Sequence, residues 1–435
     1  MKITIESSRV VKPIYNGNAP STNHHVRLSV FDKITSDMHI AVIYAFNPPT
    51  PSNIAIKEGL SKVLAEYREF AGRLGEDPEG NSVIFLNDRG VRFVEATVNS
   101  KLRNMLPSKP TKETQSLHPS LYGVEELVQV QLTRFTCGSL IVGFTAHHQV
   151  ADGHATSKFL VAWGLATRGF AIDPIPLHAR DTLFKPRDPP LIQYDHHNIE
   201  YMNDKYAKTM SITGHESNEQ EIVIHKMHFT NEFISKLRAK ASVGLSKPYS
   251  RFETILAHLW RVISKARGLL GDETTKISIS VNGCMRMDPK VPKEYFGNLV
   301  LWAYPRSKVR DLINRPLRFA VELIRAEVTK VNDSYFKSFI DFASSDIISK
   351  EGLVSTAVTK KILSPDLKVD SWLTFPFFDL DFGSGNPYYF MPTYIPYEGM
   401  LFLLPSYLGD GSIDAFVPVF KDNLDTLKMY CYSLD

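Results

Sequence analysis

Ser139-Leu140-Ile141-Val142-Gly143-Phe144-Thr145 leads into His147-His148-Gln149-Val150-Ala151-Asp152-Gly153, and Ala155-Thr156-Ser157-Lys158-Phe159-Leu160-Val161-Ala162-Trp163 follows. The first run is short and apolar, as a buried strand is, and the last carries a helical pattern. A tight turn with a glycine joins them. A histidine where a buried strand ends is held on a rigid element, which is where an enzyme places a general base. His147 and His148 are strand neighbours, so their side chains face opposite sides. The spacing alone is weak, because the chain has 14 histidines and a lone one is more often a satisfied core residue. A metal site from the two histidines and Asp152 is disfavoured by the opposed faces and by the lack of any further ligand cluster. Asp152 at a turn before a helix suits capping of backbone N–H groups, or pairing with an arginine, better than a His–Asp pair.

Outward from this stretch the pattern is mixed α and β. Residues 1–6, 40–46 and 127–132 read as strands, and residues 54–70, 231–241, 251–265 and 317–331 as helices. Gly72 is placed to stop the first of these helices. Five prolines, Pro174, Pro176, Pro186, Pro189 and Pro190, fall between Asp173 and Asn198. They stiffen the chain and exclude helix, as a crossover linker would; a long surface loop inside one domain is the alternative. The working model has an N-terminal domain over 1–173, a linker over 174–218 and a C-terminal domain over 219–435. A cleft lies between the domains, and a segment near 381–400 packs with the first.

The 435 residues suffice for a large core. Hydrophobic residues make up 43% and charged residues 22%, an ordinary globular balance. The net charge of +3 comes from 50 basic and 47 acidic residues that are scattered, so no nucleic-acid partner is expected. Cys137, Cys284 and Cys431 are far apart and show neither a disulfide framework nor zinc spacing, which fits a reducing compartment. No signal-peptide core and no apolar run of about 18–20 residues is visible. A cytoplasmic protein without membrane attachment, working as a monomer, is the expectation.

A second motif lies far downstream, Asp381-Phe382-Gly383-Ser384-Gly385. Its glycines suit a sharp bend, and it is no phosphate loop, since neither Gly-Lys-Ser nor a helix follows. His-x-x-x-Asp-Gly followed by Asp-Phe-Gly-x-Gly resembles the plant BAHD acyltransferase family. Further landmarks agree along the whole chain: Ala71-Gly72-Arg73-Leu74, Ser250-Arg251-Phe252-Glu253-Thr254, Ala257-His258-Leu259-Trp260-Arg261 and Tyr295-Phe296-Gly297-Asn298. Met1-Lys2-Ile3-Thr4, the run from Tyr335 to Ala343 and Cys431-Tyr432-Ser433-Leu434-Asp435 are most similar to the agmatine coumaroyltransferase branch.

The resemblance implies an α/β fold of two chloramphenicol-acetyltransferase-like domains, each a mixed sheet flanked by helices, with an interdomain channel. It implies acyl transfer from a coenzyme A thioester to an amine or alcohol. The acyl-CoA is a co-substrate, and no cofactor or metal is needed. His148 then takes the acceptor's proton. A Thr-Ser-Trp segment of the family supplies donors near the carbonyl; here it reads Asp370-Ser371-Trp372. Trp372 retains a donor, whereas Asp370 when ionised only accepts hydrogen bonds. An acid there suits a cationic acceptor such as agmatine and disfavours shikimate. Glu398 is a second candidate partner for that cation. Lys247 and Ser250 are candidates for coenzyme A contacts, while Asp152, Gly153, Asp381, Gly383 and Gly385 are expected to shape the site. The family's arginine that pairs with Asp152 is replaced by Cys284, and Arg286, two residues on, is the candidate substitute. An ester-forming enzyme, a peptide-forming condensation domain and a catalytically silent binding protein are the alternatives. Which acyl group and which amine are used stays open, because small ring substituents are weakly discriminated by an apolar pocket.

Overall fold

A computed structural model of the chain describes residues 2–104, 107–204, 220–357 and 362–434. The apolar run before the histidine pair forms the strand Leu140–His147, buried at every position. The helix Gly153–Thr167 follows it. This strand belongs to a six-stranded sheet with the order Thr4–Val11, Val91–Val98, Val128–Phe135, Leu140–His147, His39–Phe46 and Tyr389–Pro392. Val91–Val98 and Val128–Phe135 run parallel, and the other pairings are antiparallel. The last strand comes from the far end of the chain and pairs Tyr389 with Ala45 and Pro392 with Val42.

Helix Gly153–Thr167 packs on helix Asn53–Glu66 at close range. A Cβ added to Gly59 would lie 2.1 Å from the Thr167 hydroxyl, and the Trp163 indole donates to the Ile56 carbonyl at 2.9 Å. The Asn53–Glu66 helix stops earlier than its pattern predicts. Tyr67 is its C-cap, and Arg68–Ala71 forms a separate 3-10 turn. Gly72 caps that turn, and its need for glycine is spatial: a Cβ would meet the Phe85 carbonyl at 2.3 Å.

A second sheet runs in the order Ile222–Phe229, Ile413–Phe420, Met400–Pro405, Leu367–Ser371, Thr274–Asn282 and Val300–Ala303, with Arg306–Lys308 also on Thr274–Asn282. Leu367–Ser371 is parallel to both of its neighbours. Helices Asn231–Ala241, Arg251–Ala266 and Leu317–Lys330 pack together beside this sheet. Arg251–Ala266 is strongly amphipathic and buries Ile255, Leu256, Leu259, Trp260 and Ile263. The two sheets carry two separate hydrophobic cores.

Between Asp173 and Asn198 no helix forms. The stretch is anchored by side chains: His178 to Glu69 at 2.7 Å, Arg187 to Asp341 at 2.7 Å and a fully buried Arg180. The expected linker end at 218, the domain start at 219 and the termini Met1 and Asp435 lie outside the described residues. Among the described residues no helix is long and apolar enough to cross a membrane.

Candidate active site

A cavity of about 1400 Å³ is lined from both sheets. The first contributes Ile40, Val42, Phe144 and His148, and the second Ser278, Ser280, Lys368 and Asp370. The strand Leu140–His147 carries the histidine pair to its end, and the two rings diverge there. His147 turns away from the cavity to Asp37 at 3.1 Å and edge-on to His39 at 4.9 Å. His148 faces the cavity, partly accessible from it but walled in by protein on every other side. Its Nδ1 is enclosed and, among the described residues, has no partner other than its own backbone, which leaves Nε2 as the nitrogen presented to the cavity. Burial, the largest influence, pulls the imidazole below its ordinary range, and Lys368 acts in the same direction. The His148 backbone, Asp370 and Asp152 pull it back up. The net direction is down, so the ring is neutral and basic at neutral pH.

The turn that follows is fixed by backbone contacts. Asp152 is the N-cap of helix Gly153–Thr167: one carboxylate oxygen accepts from the Ala155 N–H at 2.9 Å and the other from the Leu299 N–H at 3.1 Å. Among the described residues no arginine pairs with it. Arg286 does not replace the missing partner, because the strand ends at Asn282 and residues 283–287 turn; its guanidinium donates to the Val328 carbonyl at 3.3 Å. Cys284 is buried near Asp152, and burial together with that carboxylate pushes its thiol up to about 12, so it stays protonated. Gly153 has no room for a side chain, since a Cβ would lie 2.8 Å from the Phe375 ring.

The Tyr295-Phe296-Gly297-Asn298 turn supplies the remaining supports. Asn298 donates its amide to the His148 carbonyl at 3.0 Å and to Asp32 at 2.8 Å. Asp32 also meets Arg180 at 3.0 Å. Arg180 in turn donates to the Val150 carbonyl at 3.0 Å and the Phe296 carbonyl at 3.2 Å. The backbone around His148 is thus held by a buried, charge-assisted network from three distant parts of the chain. Sequence reasoning assigned no role to Asp32, Arg180 or Asn298; only the Tyr-Phe-Gly-Asn landmark hinted at the last.

Asp370 lies on the strand Leu367–Ser371, half-buried on the cavity wall. Ser280 on the adjacent strand donates to it at 2.8 Å. Trp372, just past the strand, also lines the cavity and is held by the rings of Phe377, Phe390 and Phe402 at 5.2–5.8 Å. His148, Asp370 and Trp372 therefore share one cavity.

Glu398 does not. It is fully buried and ion-paired with Arg267 at 2.7 Å, while its other oxygen accepts from the Ser364 N–H at 3.1 Å. A carboxylate so committed is not available to an acceptor, and this corrects the expectation that it grips one. Lys247 and Ser250 are exposed and neither lines the cavity, although Phe252 beside them does. The Ser250 hydroxyl caps helix Arg251–Ala266 by accepting from Glu253 N–H at 3.1 Å, so its place is structural. The Asp381–Gly385 loop is also away from the cavity. Asp381 accepts from Gly383 and Gly385 N–H at 2.7 and 2.9 Å and pairs with Arg168 at 3.0 Å. Gly383 and Gly385 have φ of +110° and +84°, a conformation that favours glycine. Phe382 plugs the core against Trp163 at 4.8 Å.

The arrangement can do base-assisted group transfer in an enclosed site: one neutral imidazole, one indole donor and one carboxylate converge on a cavity large enough for two substrates. Known proteins similar in sequence to this chain are of that class. The chain is 55% identical over 440 aligned residues to putrescine hydroxycinnamoyltransferase 3 of Oryza sativa subsp. japonica, covering 100% of both chains. It is 52% identical, again over 100% of both, to agmatine coumaroyltransferase-1 of Hordeum vulgare. Among solved structures, vinorine synthase shares the fold with a TM-score of 0.74 at 22% identity, covering 98% of this chain and 96% of that one. The model described as Transferase family matches residues 1–433, and the chain belongs to that family, the BAHD acyltransferases.

Proposed function

We propose that the protein transfers a hydroxycinnamoyl group from its coenzyme A thioester to the primary amine of a small cationic acceptor such as agmatine or putrescine. The observation that carries this reading is Asp370, a carboxylate on the cavity wall whose charge acts on His148. The names of the relatives at 52–55% identity point to the same pair of acceptors.

In this mechanism Asp370 holds the acceptor's distal cation, and the proximal nitrogen, neutral after losing a proton to solvent, faces His148. That nitrogen attacks the thioester carbonyl while Nε2 of His148 takes its remaining excess proton. The negative charge that develops on the carbonyl oxygen is assigned to the Trp372 indole N–H; one such donor is worth about 2.7–4 kcal/mol. Collapse breaks the C–S bond, and the imidazolium returns its proton to the departing thiolate. Amide and free coenzyme A result, with no covalent enzyme intermediate. We assign the coenzyme A moiety to the part of the cavity that Phe252 lines, with Lys247, outside the lining, as a phosphate partner. Three free cysteines support a reducing, cytoplasmic setting, and a cavity completed within one chain supports a monomer.

Incubation with p-coumaroyl-CoA and agmatine tests the reading. The expected product has the mass of the amide and survives mild alkali, and His148→Ala lowers its rate about a hundredfold or more. No amide from agmatine, or undiminished turnover by His148→Ala, would sink it.

A further inference from the structure

The cavity side of the second sheet is built in rows. Ser280 and Asp370 form one row, joined by their 2.8 Å hydrogen bond. Ser278 lies beside Lys368 in the next, and Lys276 beside Asp366 in the third, where the Asp366 carboxylate accepts from the Lys276 N–H at 3.0 Å. All six line the cavity. Alternate residues of a strand share a face about 6.6 Å apart, twice the rise per residue. The carboxylate of Asp370 is therefore followed, one row farther from Trp372, by the ammonium of Lys368. Asp366 does not neutralise it, because its carboxylate lies 3.7 Å from the Lys276 ammonium instead. Among the described residues Lys368 has no carboxylate in ion-pair contact. Its charge nevertheless reaches His148, whose basicity it depresses.

We propose that Lys368 is a charge gate that limits the acceptor to two cationic nitrogens. This rests on the reading of Asp370 as the site of the acceptor's distal cation. With the reacting nitrogen at His148 and the second nitrogen of a butane-spaced diamine at Asp370, an aminopropyl extension carries a third nitrogen into the Lys368 row. There it meets a like charge in a confined space of reduced dielectric. A monocationic or dicationic amine ends before that row. The gate works by repulsion of the wrong acceptor rather than by attraction of the right one.

The test is the ratio of kcat/KM for spermidine to that for putrescine, with p-coumaroyl-CoA as donor. Like charges about one row apart predict that Lys368→Gln raises this ratio about tenfold or more. Lys368→Glu should raise it further, and Lys368→Arg should leave it near the wild-type value. An unchanged ratio in both Lys368→Gln and Lys368→Glu overturns the gate. So does a rise in the KM for p-coumaroyl-CoA with that ratio unchanged, since the ammonium would then be holding the donor. Failure of the underlying reading looks different: wild-type protein would acylate neither putrescine nor agmatine. Calorimetric binding of spermidine and putrescine to the same variants then decides the gate, with tighter spermidine binding by Lys368→Gln upholding it and equal binding refuting it.

Discussion

Asp370→Asn separates charge from shape at the acceptor's end of the cavity. The side chain keeps its size, and the Asn carbonyl oxygen still accepts from Ser280, whose hydroxyl lies 2.8 Å from the native carboxylate. What is lost is the negative charge. A hydrogen bond to a charged partner in a half-buried setting is worth about 1.5–3 kcal/mol. At about 1.4 kcal/mol per tenfold, kcat/KM for agmatine should fall roughly 10- to 150-fold. The same substitution touches the base. Asp370 raises the His148 pKa, so removing it lowers the pKa further. His148 works as the neutral ring, and activity expressed per neutral acceptor amine therefore rises with pH through its pKa; that acid limb should move to lower pH in the variant. At neutral pH the ring is already unprotonated, so the limb's movement does not account for the loss. The assay is release of free thiol from p-coumaroyl-CoA, run with agmatine and with pentylamine, which has the same reacting end and no distal cation. A selective loss with agmatine supports the assignment. An equal loss with pentylamine, or an acid limb displaced upward, refutes it.

Wild-type enzyme should show an acid limb in kcat/KM, expressed per neutral acceptor amine, below the ordinary histidine value near 6.5, because burial depresses His148; a limb above 6.5 on that scale would mean that a carboxylate dominates the ring. Glu398→Gln should strand the buried Arg267 and cost about 3–5 kcal/mol in denaturant unfolding, with the acceptor KM at the wild-type value. A raised KM for agmatine in a variant of undiminished stability would restore Glu398 to the acceptor site. Asp152→Ala removes a helix cap worth about 1 kcal/mol and leaves the buried Leu299 N–H unpaired at about 1–3 kcal/mol. Stability and kcat should fall together there, whereas a loss of kcat at native stability would point to a direct chemical role.

The parts of the site that sequence reading found are those with local signals. An apolar strand, a turn and a helix in succession placed His148 at a strand end, whereas Asp370 was reached only through the family resemblance; the alternation Leu367-Lys368-Val369-Asp370, on a strand with its charged members on the cavity side, went unread. The same alternation carried the signal for Lys368, which was not read. What was missed or misassigned depends on partners distant in the chain. Glu398 reads as available until Arg267, 131 residues away, is seen to occupy it. Arg180 is one arginine in a proline-rich stretch, and nothing nearby marks it as the buried clamp on Val150. Arg286 was placed by assuming that the strand continues, but the chain turns after Asn282. Asp152 needed no arginine because two backbone N–H groups satisfy it, one from its own helix and one from Leu299, just after the Tyr-Phe-Gly-Asn turn.

The central claim is that His148 and Asp370 together acylate a cationic amine. The most direct measurement is a competition in one vessel, with p-coumaroyl-CoA, agmatine, putrescine and shikimate at equal concentration and the products separated by mass. The account predicts amides of agmatine or putrescine in at least about tenfold excess over the shikimate ester, the least that one charged contact supplies. A predominance of the shikimate ester, or no product from any of the three, would contradict it.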